Sequence, residues 1–303
     1  MSRTIAFMTL MLVGLSANLP ANLSANDVEV VYLNGMVLIE GDSSDNAIEI
    51  SRVYNSIHIV RGLNGTTVGG ASSQMIYIAD DLLVEMFDGD DFIDIRSLHV
   101  RGNANAQVVI GLGEGDDTLI MENASVRFNI LISDPPGSDG NDIALLRSIT
   151  CNDLDILTEL GTDQISVVSS TVNENLEIRA SGAATVGVTH SDIDGGLFIN
   201  TGRLGADTIN VIANDFVWTS IHTSDRNDNL IIVGNHSHYV WGSISLNNGN
   251  DNLTFEHNQM GDWYTWQGGA LLVDGGPGTD RGMIRRVMIW DPIVTESWEG
   301  SFK

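Results

Sequence analysis

A short segment rich in glycine, aspartate and asparagine recurs along this chain roughly every 23 residues. It reads FDGDDFIDI at Phe87–Ile95, GEGDDTLIM at Gly113–Met121, SDGNDIALL at Ser138–Leu146 and LGTDQISVV at Leu160–Val168. It returns as LGADTINVI at Leu204–Ile212, DRNDNLIIV at Asp225–Val233, NGNDNLTFE at Asn248–Glu256 and GPGTDRGMI at Gly276–Ile284. The aligned aspartates are Asp91, Asp117, Asp142, Asp163, Asp207, Asp228, Asp251 and Asp280. Degenerate members around Ala184, Thr67 and Asp45 extend the series, with spacings of 21 to 29 residues, mostly 21 to 24. Self-similarity at a fixed period of this size is the signature of a repeat architecture.

The residues between the turns repeat as well. Two and four places after the aspartate stand Ile93 and Ile95, Leu119 and Met121, Ile165 and Val167, Ile209 and Val211, Leu230 and Ile232, and Leu253 and Phe255. Seven places before it stand Val84, Ile110, Ile156, Ile221, Ile244 and Val273. Alternation with period two in short runs denotes strands that bury one face. A second corner falls seven places after the aspartate, at Ser170, Ser191, Asn214, Asn235 and Asn258, with Asn123 and Ser148 one place earlier in their coils. Stacked Asn and Ser side chains can bond along such a corner and satisfy its backbone. Pro135–Gly137 read as an insertion in one turn.

These patterns predict an all-β chain, a right-handed parallel β-solenoid of about eleven coils of roughly 23 residues spanning 26–284, with a C-terminal cap over 285–303. An antiparallel sandwich would turn every 8–12 residues and a propeller would repeat every ~40, and neither period is present. The first 25 residues read as a signal peptide: Arg3, an apolar run from Ile5 to Leu15, then small and polar residues, with cleavage after Ser16, Ala17, Ala21 or Ala25 left open. The expected location is therefore secreted or cell-surface. No second apolar run approaches the ~20 residues of a membrane helix.

Composition narrows the partners. Forty acidic residues face fourteen basic ones, a formal charge of −26, and Lys303 is the single lysine. Such a surface repels phosphate backbones, which excludes nucleic acid as a partner. Cys151 stands alone, so no internal disulfide stabilises the fold.

The turns resemble the haemolysin-type calcium-binding repeats of secreted bacterial proteins, whose unit is G-G-x-G-x-D-x-apolar-x; Gly113–Leu119 and Gly276–Asp280 come closest. That family repeats every nine residues, whereas one turn here closes a coil of about 23. The pitch and the Asn column resemble instead the pectate-lyase-type right-handed β-helix. The first resemblance implies calcium between successive turns, with Asp88, Asp90, Asp91, Glu114, Asp116, Asp117, Asp139 and Asp142 as the densest ligand set. Carboxylates stacked ~4.8 Å apart repel by about 1 kcal/mol per pair in water and about 3.5 at an effective dielectric of 20. Calcium, a hard ion that accepts carboxylate and carbonyl oxygens, would relieve this. The competing reading is that each aspartate caps its own turn by accepting that turn's N–H groups, with no metal.

Phe216 and Trp218, Tyr239 and Trp241, and Tyr264 and Trp266 occupy matching positions in the later coils. Trp218, Tyr239, Trp241 and Trp266 form a candidate strip for an extracellular glycan or matrix partner, or an external stacking ladder. His190, His236, His238 and His257 are scattered, and no third ligand stands at zinc spacing from His236 and His238. Arg179 and Arg203 lie a coil apart near Gly/Asp turns, but no local motif marks them as catalytic. The expected role is non-catalytic: a structural, adhesive or matrix-binding solenoid, stabilised by calcium. The alternative is a carbohydrate-active β-helix enzyme, a polysaccharide lyase or hydrolase.

Overall fold

The structure, a computed structural model, describes residues 26–102, 106–202, 204–238, 242–260, 271–289 and 293–296. The expected signal segment 1–25 lies outside the described residues, as do Arg203, Tyr239, Trp241, Tyr264 and Trp266. Every regular element among the described residues is a strand, and no helix there is long and apolar enough to cross a membrane.

The chain winds as a parallel β-solenoid. One coil shows the plan: the strand Thr118–Glu122 follows its Gly/Asp turn, the two-residue strand Ser125–Val126 follows a corner, and Asn129–Ser133 leads to the next turn. The following coil repeats this as Ile143–Arg147, Thr150–Cys151 and Leu154–Thr158, each strand parallel to its predecessor. Parallel neighbours ~4.8 Å apart place equivalent residues directly above one another. Val84, Ile110, Ile132, Ile156, Ile178, Ile199, Ile221, Ile244 and Val273 therefore form one continuous, fully buried row. A second row runs from Ile48 through Ile93, Leu119, Ala144, Ile165, Val186, Ile209 and Leu230 to Leu253. Both rows come from the period-two positions read in the sequence. Phe216, grouped there with the aromatic strip, points the other way and is buried in the core.

The expected coil at Thr67 does not form. Ala47–Tyr54 pairs directly in parallel with Phe92–Arg96, and the chain between makes an antiparallel excursion through Ile57–Gly62 and Ser73–Tyr77. Thr67–Val68 instead lies parallel to Asp27 and Val28. The ladder of strands that follow the Gly/Asp turns thus has ten parallel members, from Ala47–Tyr54 to Arg281–Arg285. The excursion resembles a coil in composition because a hairpin turn at Asn64–Gly65, with φ of 51° and 100°, needs the same residue types as a coil corner. At the other end, parallel pairing continues through Met288–Ile289 to Ile293–Glu296.

One corner column was not visible as such in the sequence. Ser97, Asn123, Ser148, Ser169, His190, Ala213, His257 and Arg286 all adopt φ near 50–55° immediately after the first strand of their coils. Left-handed backbone at one residue turns the chain sharply, and although it enriches Asn and His, Ser, Ala and Arg also occupy it here. The varied identities hid the column. Asn123 and Ser148 belong here, one place before the bonded Asn/Ser ladder.

Substituting Ile156 by Asp inserts a carboxylate between Ile132 and Ile178, where burial of an unpaired charge costs several kcal/mol. A domain's total margin is about 5–15 kcal/mol. Far-ultraviolet circular dichroism of Ile156→Asp should show loss of the cooperative melt. A wild-type melting profile would contradict a continuous inward row.

Candidate cation-binding edge

The Gly/Asp turns stack into an edge along which backbones come very close. Gly115, at φ 129°, sits so near the carbonyl of Gly89 that a Cβ there would collide with it. Only glycine allows both the conformation and the approach.

On this edge the aspartates read in the sequence form a buried ladder. Asp117 Oδ1 accepts the backbone N–H of Asp91 at 2.7 Å, Asp142 Oδ1 that of Asp117 at 2.9 Å, and Asp163 Oδ1 that of Asp142 at 3.1 Å. The series resumes with Asp207 on Ala184, Asp228 on Asp207, Asp251 on Asp228 and Asp280 on Asp251, at 2.7–3.0 Å. The cap expected within each turn is thus made across coils: each side chain reaches back one coil. Ala184 occupies an aspartate's place, stacked between Asp163 and Asp207. Asp45 does not; its neighbour Asn46 holds the buried position and donates its N–H to Asp91 Oδ1 at 2.6 Å.

In the first coils the residue before the buried position makes an opposed, exposed ladder. Asp45 Oδ1 accepts from Asp90 N–H and Asp90 Oδ1 from Asp116 N–H, both at 3.0 Å; Asp116 Oδ1 accepts from Asn141 N–H at 2.8 Å. These side chains reach forward one coil. The eight acids expected to gather round calcium therefore divide between two faces of one turn. Asp91, Asp117 and Asp142 are buried, whereas Asp88, Asp90, Glu114, Asp116 and Asp139 are exposed.

The second oxygen of the buried carboxyls decides their chemistry. Asp207 Oδ2 accepts the hydroxyl of Thr201 at 2.6 Å, and Asp228 Oδ2 is met by Ser224 at 3.4 Å. The Oδ2 atoms of Asp91, Asp117 and Asp251 are buried with no hydrogen-bond partner. A buried anionic oxygen left so costs several kcal/mol unless a proton or a cation neutralises it. Burial accordingly pushes Asp91 to about 7, Asp117 to about 8 and Asp251 to about 7, each aided by neighbouring aspartates and opposed by the accepted N–H. Asp163 and Asp228 rise less, to about 6, where hydroxyls of Thr158 and of Thr223 and Ser224 partly offset burial. Asp134, in the turn that carries the Pro135–Gly137 insertion, is raised by burial and by the charge of Asp142. Once ionised, these oxygens are hard donors of the kind calcium takes.

Elsewhere the sequence-derived candidates separate. Trp218 lies outward, 37% exposed, opposite Gly196 in the preceding strand, and meets the Phe198 ring edge-on at 4.3 Å between centroids. Arg179 is held by Glu177, with Nε at 2.6 Å from the carboxylate. His236 and His238, read as lacking a third partner, do have one. Asp215 stands opposite His236 one coil earlier, 21 residues away, and contacts both rings. A linear spacing rule cannot find a ligand supplied by stacking. Comparison with protein-family profiles, curated proteins and solved structures found no match.

The raised carboxyls carry a pH signature. Their folded forms hold protons to pH 6–8, whereas the ordinary value is 3.8. The native state then binds more protons across that window, so this stabilisation is complete below about pH 3.8 and is lost as pH rises through 6 to 8. In chelator, the chain should melt at a higher temperature at pH 5 than at pH 8. A melt that instead rises with pH would mean the column is charged and compensated within the fold.

Proposed function

We propose that this chain is a non-catalytic extracellular solenoid, a structural or adhesive rod, whose Gly/Asp edge is completed by calcium. The observation that carries this reading is the pair of buried, unpartnered oxygens in adjacent coils, Asp91 Oδ2 and Asp117 Oδ2. Once ionised, they need a positive partner, and the chain has no disulfide to offset their cost: Cys151, its one cysteine, is buried and free. Extracellular calcium modules commonly bind at about 10⁻⁴–10⁻³ M. Even such weak sites stabilise the folded form, by ~1.4 kcal/mol each at ten times Kd. The resemblance of the turns to haemolysin-type repeats points the same way, as does the expected signal segment.

Calcium should raise the melting temperature at pH 8 and chelator should lower it. Asp117→Asn should remove more of that shift than Asp207→Asn, because Thr201 already engages the second oxygen of Asp207. Indifference of the melt to millimolar calcium would leave the aspartates as protonated caps and reduce the resemblance to turn chemistry.

For the adhesive role, the partly exposed Trp218 ring, braced edge-on by Phe198, is the apolar surface suited to a sugar ring. Trp218→Ala should weaken retention on polysaccharide columns while shifting the melt little. Loss of stability with no retention by the wild type would make the pair a packing feature. The carbohydrate-active alternative requires a base, and Arg179 is engaged with Glu177. Release of sugar from a polysaccharide panel, abolished by Arg179→Ala, would favour the enzyme instead.

A further inference from the structure

We propose that Asp215, His236 and His238 form a binding site for a divalent transition ion of borderline softness, with zinc as its probe. The site is separate from the Gly/Asp edge and has different chemistry. It lies at the Asn/Ser corner, where the strand Asp215–His222 begins and the short strand His236–Ser237 stacks upon it.

Local structure explains the convergence. His236 and His238 flank Ser237, which is fully buried and donates its hydroxyl to the Val217 carbonyl at 3.0 Å. Residues two apart on extended backbone share a face, so both imidazoles project outward together. Their rings lie 4.8 Å apart between centroids at 73°. The parallel register sets Asp215 directly against His236. The ligand atoms of all three residues fall within 4.8 Å of one another, the one such group of His, Cys, Asp or Glu among the described residues.

The distances match a metal. Asp215 Oδ1 is 3.3 Å from His236 Nδ1 and 3.0 Å from His238 Nε2. Zinc–nitrogen and zinc–oxygen bonds of about 2.0–2.2 Å at tetrahedral angles put neighbouring ligands about 3.3–3.6 Å apart, so a small outward shift of His238 from its 3.0 Å contact would admit the ion. Two imidazole–carboxylate hydrogen bonds would also account for these contacts. His236 Nδ1 stands 3.3 Å from both carboxylate oxygens, so the two rings and the carboxylate converge on one small volume, in which an ion would replace these contacts by bonds to itself. Two imidazoles and one carboxylate suit zinc and its neighbours in the transition series, and do not suit calcium, which takes oxygen. Asp192, opposite Asp215 one coil earlier, and Asp194 add exposed negative charge nearby. All three ligands are partly exposed, so a fourth position is open to water or to a donor from another molecule.

Zinc chloride titrated calorimetrically into the untagged full-length chain should show one saturable site. Cobalt chloride should give the intense visible absorption of a tetrahedral ion. His236→Ala and His238→Ala should each weaken zinc binding by about 100-fold or more, since even indirect supporting residues are worth 10–100-fold. Asp215→Asn should weaken it at least about tenfold. Asp116→Asn, an exposed carboxylate of the other edge, should leave it unchanged. Binding should also weaken on acidification, because a ligating imidazole must be neutral. The metal-free melts of the variants should match the wild type; if one does not, the cobalt spectrum of the unaltered chain decides. Absence of saturable zinc binding, an octahedral cobalt spectrum, or equal loss in Asp116→Asn would overturn the site.

Discussion

A stacked coil must satisfy its corner backbone along the solenoid axis, because the strands that hydrogen-bond from coil to coil stop where the chain turns. Here side chains take over the task. At one corner Asp Oδ1 atoms accept the N–H of the preceding coil. At the other, Asn214, Asn235 and Asn258 do the same with their amide oxygens, while Asn235 and Asn258 also donate to the carbonyls of Val211 and Ile232. A hydrogen bond with an ionised partner contributes about 1.5–3 kcal/mol and a neutral one about 1. Without these acceptors, each corner N–H would be buried and orphaned, and the apolar rows inside could not stay in register.

The two corners solve one geometric problem with different chemistry. An amide is neutral and offers a donor as well as an acceptor, so the Asn corner closes completely. A carboxyl offers two acceptors and needs a counterpart for the second. Thr201 and Ser224 supply a hydroxyl in two coils, and in the coils of Asp91, Asp117 and Asp251 no protein group does. The edge therefore responds to protons and cations in a way that the Asn corner cannot. Glycine at this edge permits the tight stacking that buries the carboxyls in the first place.

Candidate site groups on the outer surface arise from the same stacking. Trp218 rests over Gly196 and against Phe198, and Asp215 meets His236, because residues 21 to 23 apart become neighbours. In a solenoid a surface site is assembled across coils, from outward positions whose identities differ from one coil to the next.

The sequence by itself determined the architecture. The aspartates at a period near 23 and the period-two apolar positions sufficed for parallel coils, inward Ile110, Ile156, Ile221 and Ile244, and a bonded Ser170–Asn258 corner, since each depends on local pattern repeated many times. It also located the aspartates of the edge. Tertiary structure alone decided which acids are buried, because Asp90 and Asp91 are adjacent in sequence yet reach opposite ways along the axis. It alone turned the Thr67 segment into an antiparallel excursion, since hairpin and corner draw on the same turn residues. It alone brought Asp215 to the two histidines. Register between coils is a long-range quantity, and one sequence read along its length contains the coil spacing but not the side on which each outward group comes to lie.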